Sequence, residues 1–556
     1  MPMMTGSRFF AEAMRGYGVT HIFFVPTIIT QALAEMEDMN ITRVMTHGEK
    51  AAAYMADGYA RASYKPGVCM AQNVGAANLA AGLRDAHLAC SPVIAITGGR
   101  APLTKHRHVY QEIEDYPLFA PLTKFNAQVD SVERLPDLLR QAFRAATTGA
   151  PGPVHLEMQG IAGREAVEVE ADLEGIVEEQ FKEFPTFRPQ AEPERVREAA
   201  RVLTRAQRPV IVAGGGVTWS RAQAEVVELA EMLSIPVATS LNAKGTIPED
   251  HPLSVGVVGT YSRWCANRVV AEADLVFFIG SHTGSQVTNN WTIPRPGTPV
   301  MQLDIEAEEL GRNYPNVASL WGDAKATLRQ LIEALEPRQP SQEWLGRVEQ
   351  LVNEWRAEQA PLRNSDAIPM RPERICKEIT EFLPPDAVLI SCTGHSGIWT
   401  GTHIELRRPG QTYLRAAGSL GWGFPAALGA KCALPDRPVI CFTGDGGFYY
   451  HLGELETAAR FGINAVIVVN NNHSLSQETR GFDAAYGGQQ RGGAFNMWQF
   501  QEVNFARVAE AMGCFGVRAE RPEEIKPALE QALASGRPAV VDVASDIKAL
   551  APRAWG

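Results

Sequence analysis

Two oxygen-bearing side chains, Asp445 and Asn472, stand just past the ends of two apolar runs, and their types are those that a hard cation selects. Asp445 lies in the string GDGG, directly after the run PVICFT at 438–443, and Asn472 ends the triplet Asn470, Asn471 and Asn472 that follows the run at 465–469. A carboxylate and an amide oxygen suit Mg2+, which fills its other positions with backbone carbonyl, water and phosphate oxygens. Gly444, Gly446 and Gly447 let backbone N–H groups approach an anion with no side chain in the way. A metal-bridged diphosphate is the ligand such a set accommodates. GDG alone also marks an ordinary turn after a strand; the asparagines at the end of the next run are what add weight.

Positioning those residues requires a strand, a tight glycine turn, a helical segment and a second strand. Parallel strands end on one edge of their sheet, so Asp445 and the asparagines converge across the crossover helix. The same alternation opens the chain: an amphipathic stretch at 7–17, apolar runs at 21–25, 68–72 and 92–97, and a helical pattern led by His47, Gly48 and Glu49. Glu49 by itself reads as a helix N-terminal charge. An acidic, proline-bearing stretch at 171–194 reads as a linker. A middle unit follows, with Gly214, Gly215 and Gly216 after a strand; these suit close helix packing or a dinucleotide turn. A second linker spans 336–372. The pattern predicts three α/β domains, each a mainly parallel sheet flanked by helices, at 1–185, 190–340 and 370–556.

Composition narrows the function classes. The chain has 556 residues, 45% hydrophobic and 21% charged, with a formal net charge of −11. An acidic chain of this kind argues against nucleic acid, which calls for a basic surface. No apolar run is long enough to span a bilayer and the start lacks a secretory pattern, so the expectation is a cytoplasmic protein with no membrane partner. The eight cysteines are scattered, with no C-x-x-C pair, and read as small buried hydrophobes.

GDG followed by paired asparagines resembles the thiamine diphosphate motif of the acetolactate synthase, benzoylformate decarboxylase and 2-hydroxyacyl-CoA lyase superfamily, and similar segments run from about residue 8 to about residue 545. The resemblance implies thiamine diphosphate and Mg2+ as cofactors, with Asp445, Asn472 and the main-chain carbonyl of Ser474 as metal ligands. It also implies two thiamine diphosphate-binding-fold domains, an N-terminal pyrimidine-binding and a C-terminal diphosphate-binding one, around a Rossmann-like middle domain. In the family a glutamate placed like Glu49 hydrogen-bonds N1′ of the aminopyrimidine and so handles a proton. The segment AAGSLGWGFPA at 416–426 is similar to the one that holds that ring, giving Gly418 and Leu420 backbone contacts and Leu420 the task of bending the cofactor. Gly394, His395 and Ser396 fall where relatives contact the diphosphate, and Leu475 follows the metal site.

Substrate positions depart from the named relatives. The first loop reads Val25, Pro26, Thr27, Ile28 where acetolactate synthases carry two glycines, so Thr27 and Ile28 are expected to narrow the pocket. Gln111, in a Tyr-Gln-Glu string similar to the Phe-Gln-Glu of acetolactate synthases, is expected over the thiazolium as a catalytic group. His473 and Gln477 complete the expected substrate pocket. The stretch 280–286 lacks the Asp-Asp-Arg with which acetolactate synthases hold flavin, so FAD is not expected, although GVVGTYSRWCAN leaves room for a nucleotide. The implied reaction is decarboxylation of a 2-oxo acid, carboligation to a carbonyl acceptor, or both, in a homodimer or homotetramer with interfacial sites. The alternatives are a 2-hydroxyacyl-CoA lyase without decarboxylation and a non-catalytic nucleotide-binding protein that keeps the fold.

Overall fold

Short, fully apolar runs become strands covered on both faces by helices, and they assemble into three six-stranded parallel sheets. This is seen in a computed structural model that describes residues 3–337 and 341–554; the expected domain limits at 1, 340 and 556 lie outside the described residues. The first sheet uses His21–Phe24, Thr42–Met45, Gly67–Ala71, Val93–Gly98, Phe125–Val129 and Val154–Met158. The middle sheet uses Pro209–Ala213, Val237–Thr239, Ser254–Val257, Leu275–Ile279, Val300–Asp304 and Asn316–Trp321. The last uses Val388–Ser391, Thr412–Arg415, Val439–Gly444, Val466–Asn471, Phe515–Ala519 and Ala539–Ala544.

Numbered in chain order within each sheet, the first and last share the strand order 2-1-3-4-6-5, whereas the middle one runs 3-2-1-4-5-6. The latter is the order of dinucleotide-binding folds. The chain is therefore two copies of one topology around a Rossmann-like unit. In both copies a helix follows the second strand, Glu49–Ser63 in the first and Gly423–Ala433 in the last. These two helices lie directly against each other. A Cβ on Gly58 would stand 2.1 Å from the Ala426 carbonyl oxygen, and one on Gly429 would stand 1.8 Å from that of Met55. The alanine-rich strings around both glycines allow that approach, and a single apolar core runs from Phe23 and Ala52 through Ala426 to Val469.

The segment expected as a plain linker at 171–194 is partly structured. Glu170–Asp172 pairs antiparallel with Met3–Thr5, and Phe181 and Phe184 are buried. In the second linker the helix Gln342–Arg363 buries Trp344, Leu351 and Trp355 against the middle unit. No helix among the described residues is long and apolar enough to cross a membrane, and all eight cysteines are free.

Candidate active site

The strand Val439–Gly444 runs straight into a helix, Asp445–Tyr449, so the glycines start a helix instead of closing a tight turn as the sequence suggested. Their role is space. A Cβ on Gly446 would lie 2.4 Å from Leu475 Cδ2, and one on Gly447 would lie 3.1 Å from Cys392 Sγ. The neighbouring strand Val466–Asn471 ends level with Gly444, which is paired to Asn470. Asp445 and Asn472 therefore meet at one edge, as the parallel topology requires.

Asp445 is 1% exposed. Its Oδ1 accepts the Gly446 N–H at 2.7 Å and its Oδ2 the Ser474 N–H at 3.1 Å. Burial pushes its carboxyl up to about 7 against these N–H donors, because an ion is costly away from water unless a cation or donors offset it. Asn472 Oδ1 accepts from Ser474 Oγ at 2.9 Å. Asn471, the middle of the triplet, instead donates to Asp542 Oδ1 and the Val503 carbonyl and ties the strand to its neighbours. Asn470 Oδ1 is buried with no hydrogen-bond partner.

A cavity of about 280 Å³ opens over this edge. Its walls include Gly394, His395, Ser396, Gly418, Leu420, Gly444, Asp445, Gly446, Gly447, Asn472, Ser474, Leu475 and Gln477. Gly394 turns the chain with φ +68°, a conformation L side chains rarely adopt, and starts the helix His395–His403. His395 Nδ1 lies 3.1 Å from Ser476 Oγ, and burial together with nearby Arg480 pushes its pKa down to about 4, so the ring is neutral at pH 7. The donor set fits the group it was expected to hold. A buried carboxylate short of positive charge and an orphaned amide oxygen suit a divalent cation, and the open glycine floor suits a phosphate. No cluster of three or more His, Cys, Asp or Glu side chains suited to a metal occurs among the described residues.

Reasoning from sequence missed Tyr261, Cys392, Thr393, Asn470 and Ser476, which also line this cavity. Tyr261 comes from the middle unit, and its ring is 3.7 Å from a Cβ built on Gly397. It sits inside the GVVGTYSRWCAN string, so the signal was present but was read for nucleotide binding alone.

Glu49, Gln111, Thr27, Ile28 and His473 do not line the cavity. Glu49 begins its helix half-buried, with Asn78 Nδ2 donating to its Oε2 at 3.1 Å; a Cβ on Gly75 would lie 2.5 Å from its Oε1. Gln111 lies on the same edge of the first sheet, where its carbonyl accepts from Asn73 Nδ2 at 2.9 Å. Thr27 is exposed. Ile28 is 0% exposed and belongs to the core around Leu156 and Met158, with its Cδ1 3.3 Å from a Cβ built on Gly163. His473 has φ +58°, and its carbonyl accepts from the Phe500 N–H.

The glycine triplet of the middle unit serves the close packing that its sequence allowed, and it also borders a cavity. Gly214 and Gly216 pack on the backbone of Gly280, and all three glycines border a separate cavity of about 250 Å³ with Asp304, Asp323 and Arg415.

Three family models match the chain: the N-terminal TPP binding domain of thiamine pyrophosphate enzymes over residues 4–118, their central domain over 196–331, and their C-terminal TPP binding domain over 393–543. The chain is 34% identical to a probable acetolactate synthase large subunit of Methanocaldococcus jannaschii, over 98% of this chain and 92% of that one. It is 30% identical to the acetolactate synthase isozyme 1 large subunit of Escherichia coli, over 98% and 94%. It is 29% identical to the putative thiamine pyrophosphate-containing protein YdaP of Bacillus subtilis, over 98% and 92%. The cavity over the Asp445 edge, the matching sheet that carries Glu49 and these full-length likenesses agree, and the chain belongs to the thiamine pyrophosphate enzymes of acetolactate synthase type.

Proposed function

We propose that this enzyme decarboxylates a 2-oxo acid and joins the remaining fragment to a second carbonyl compound, giving a 2-hydroxy ketone or 2-hydroxy acid. The observation that carries the reading is the cavity in which Asp445, Asn472 and Ser474 converge with Gly446, Gly418 and Leu420, in a chain similar over its whole length to acetolactate synthase large subunits. When bound, thiamine diphosphate supplies a thiazolium carbon that attacks carbonyl groups and a ring that accepts the electrons left by departing CO2. The chain's residues hold and orient it. Asp445, Asn472 and the Ser474 carbonyl hold Mg2+. The Gly446 and Gly447 backbone admits the diphosphate, with His395 and Ser396 alongside. Gly418 and Leu420 hold the aminopyrimidine, and Glu49 shares a proton with ring N1′. Gln111, Thr27, His473 and Gln477 are assigned to the substrate side.

Glu49 does not line the cavity of its own chain, so we assign the working site to a homodimer or homotetramer in which the partner subunit's Glu49 completes it. Exposed apolar side chains in both units support this, with Leu103 90% and Tyr110 80% exposed in the N-terminal unit, and Phe500, beside Gly446, partly exposed in the C-terminal one. The proposed division remains 1–185, 190–340 and 370–556, and the proposed compartment is the cytoplasm. FAD is not proposed, since 280–286 lacks the Asp-Asp-Arg with which acetolactate synthases hold it, and no ligand is assigned to the cavity beside Gly215.

The test is a screen of 2-oxo acids, with and without aldehyde or second 2-oxo acid acceptors and with a parallel acyl-CoA arm, following CO2 and ketol mass. CO2 release coupled to ketol formation is expected. Cleavage of a 2-hydroxyacyl-CoA with no CO2 from any 2-oxo acid would sink the reading in favour of the lyase.

A further inference from the structure

Asp85 is an acid on the helix Ala76–Leu88 of the N-terminal unit, and it is fully buried. It reaches across to the C-terminal unit. Its Oδ1 accepts the N–H groups of Gly418 at 3.0 Å and Ser419 at 2.9 Å, and its Oδ2 accepts the N–H of Ala417 at 2.8 Å. Arg61 Nη2 donates to Asp85 Oδ2 at 3.0 Å. The same guanidinium makes a two-pronged pair with Asp57, at 2.8 and 2.5 Å, and donates through Nη1 to the Arg415 carbonyl at 2.7 Å. Trp422 Nε1 donates to Asp57 Oδ2 at 2.8 Å, and the Arg61 guanidinium lies 4.5 Å over the Trp422 ring.

The segment from Arg415 to Trp422 is thus gripped along its length by Asp57, Arg61 and Asp85. Asp57 and Asp85 are buried beside two buried guanidinium groups, those of Arg61 and Arg415. The three backbone N–H groups and the indole N–H satisfy the carboxylate oxygens, which are costly to bury without donors. The grip is local to the residues that matter: Gly418 lies inside it, and Leu420 follows the last clamped N–H. Because the Gly418 N–H is committed to Asp85, only the Gly418 carbonyl remains for a ring contact. The Asp85 helix also holds Glu49 at its other end through Asn78.

We propose that Asp85, oriented by Arg61, is a positioning residue that sets the affinity for thiamine diphosphate by fixing the 417–420 backbone from the N-terminal unit of the same chain, without touching the cofactor. This rests on the reading that Gly418 and Leu420 hold the aminopyrimidine. Asp85→Asn is the sharp variant. Both oxygens of Asp85 face only N–H donors, so either orientation of the isosteric amide sets its NH2 against a donor.

The first measurement needs no variant: amide hydrogen exchange over residues 415–422 of the intact protein without cofactor. The clamp predicts that Ala417, Gly418 and Ser419 are already protected; free exchange that slows only when cofactor is added overturns the proposal. In folded Asp85→Asn, exchange at these amides should rise, and the Kd for thiamine diphosphate with Mg2+, read by intrinsic fluorescence, should weaken by about 10-fold or more. The KM for the 2-oxo acid at saturating cofactor should be unchanged, a split that a general loss of structure would not give. Protected amides in the wild type together with unchanged cofactor affinity in Asp85→Asn also overturn it. A Leu420→Ala chain that binds cofactor like the wild type would instead overturn the reading on which the proposal rests.

Discussion

The first and last sheets share one strand order, yet their corresponding edges are finished differently. The C-terminal edge is closed: Asp445 is 1% exposed, its oxygens take backbone N–H groups, and a walled cavity stands over it. The N-terminal edge is open: Glu49 is half-buried, Asn78 donates one amide N–H to it, and Leu103 and Tyr110 of the same unit face solvent. A buried carboxylate whose charge is costly suits permanent charge neutralisation by a cation. A carboxylate left on an unfinished surface suits a task that begins when another surface arrives. Duplicating one topology thus supplies two edges, and their difference in burial matches the proposed division between an anchoring acid and a proton-handling one.

The largest expected effect breaks the open edge. Glu49→Gln keeps the shape and the Asn78 contact but cannot exchange a proton with a ring nitrogen. Turnover should fall by roughly 10² to 10⁴, the range for losing a general acid–base group, while thiamine diphosphate still binds. Steady-state kinetics beside a cofactor titration read this. Full turnover would show that the two edges are not divided by task as described.

How much of this division can be read from the sequence depends on whether the signal is local. Asp445 and Asn472 are legible because each follows an apolar run, and parallel pairing then brings the two run ends together. The paired topology is legible as alternation, but its repeat is reached only through the family resemblance, because the first and last sheets share strand order and not residues. The burial of Ile28 is not legible, because one residue of loop geometry decides which way a side chain turns. Asp85 is invisible in the string GLRDAH, where it looks like a solvated helix acid; the backbone N–H groups it accepts are more than 330 positions away. Tyr261 stands in a string that is legible, GVVGTYSRWCAN, but its place is not, since only docking of the middle unit carries it to the cavity.

The next effect sharpens the closed edge. Thiamine diphosphate with Mg2+ at about 100 times its Kd should stabilise the wild-type chain by about 2.7 kcal/mol, because the ligand binds only the folded form. Asp445→Ala should lose that cofactor-linked gain, whereas Glu49→Gln should keep most of it. Thermal melts of all three chains, with and without cofactor, make the comparison. Equal loss in both variants would mean that the edges contribute alike to anchoring.

The smallest effect concerns one histidine on each side. Burial pushes His155 of the first sheet down to about 3, and burial with Arg480 pushes His395 down to about 4. His155 hydrogen-bonds Thr97 and Asn126 and stacks on Phe119 at 3.5 Å. For a depressed pKa the unfolded chain takes the proton first as pH falls. The stability each neutral ring carries is therefore intact above about 6.5 and is lost as pH drops from there toward the folded value. At pH 5 each contributes a loss of about 2 kcal/mol relative to pH 7. Denaturant titrations between pH 7 and 5 should show a shallower pH slope in both His155→Gln and His395→Gln. Bound cofactor should distinguish them: a diphosphate next to His395 offsets the cost of protonating that ring and flattens its share of the slope, while the share from His155 stays. If cofactor flattens neither share, or both, His395 does not face the diphosphate and the closed edge has been drawn too wide.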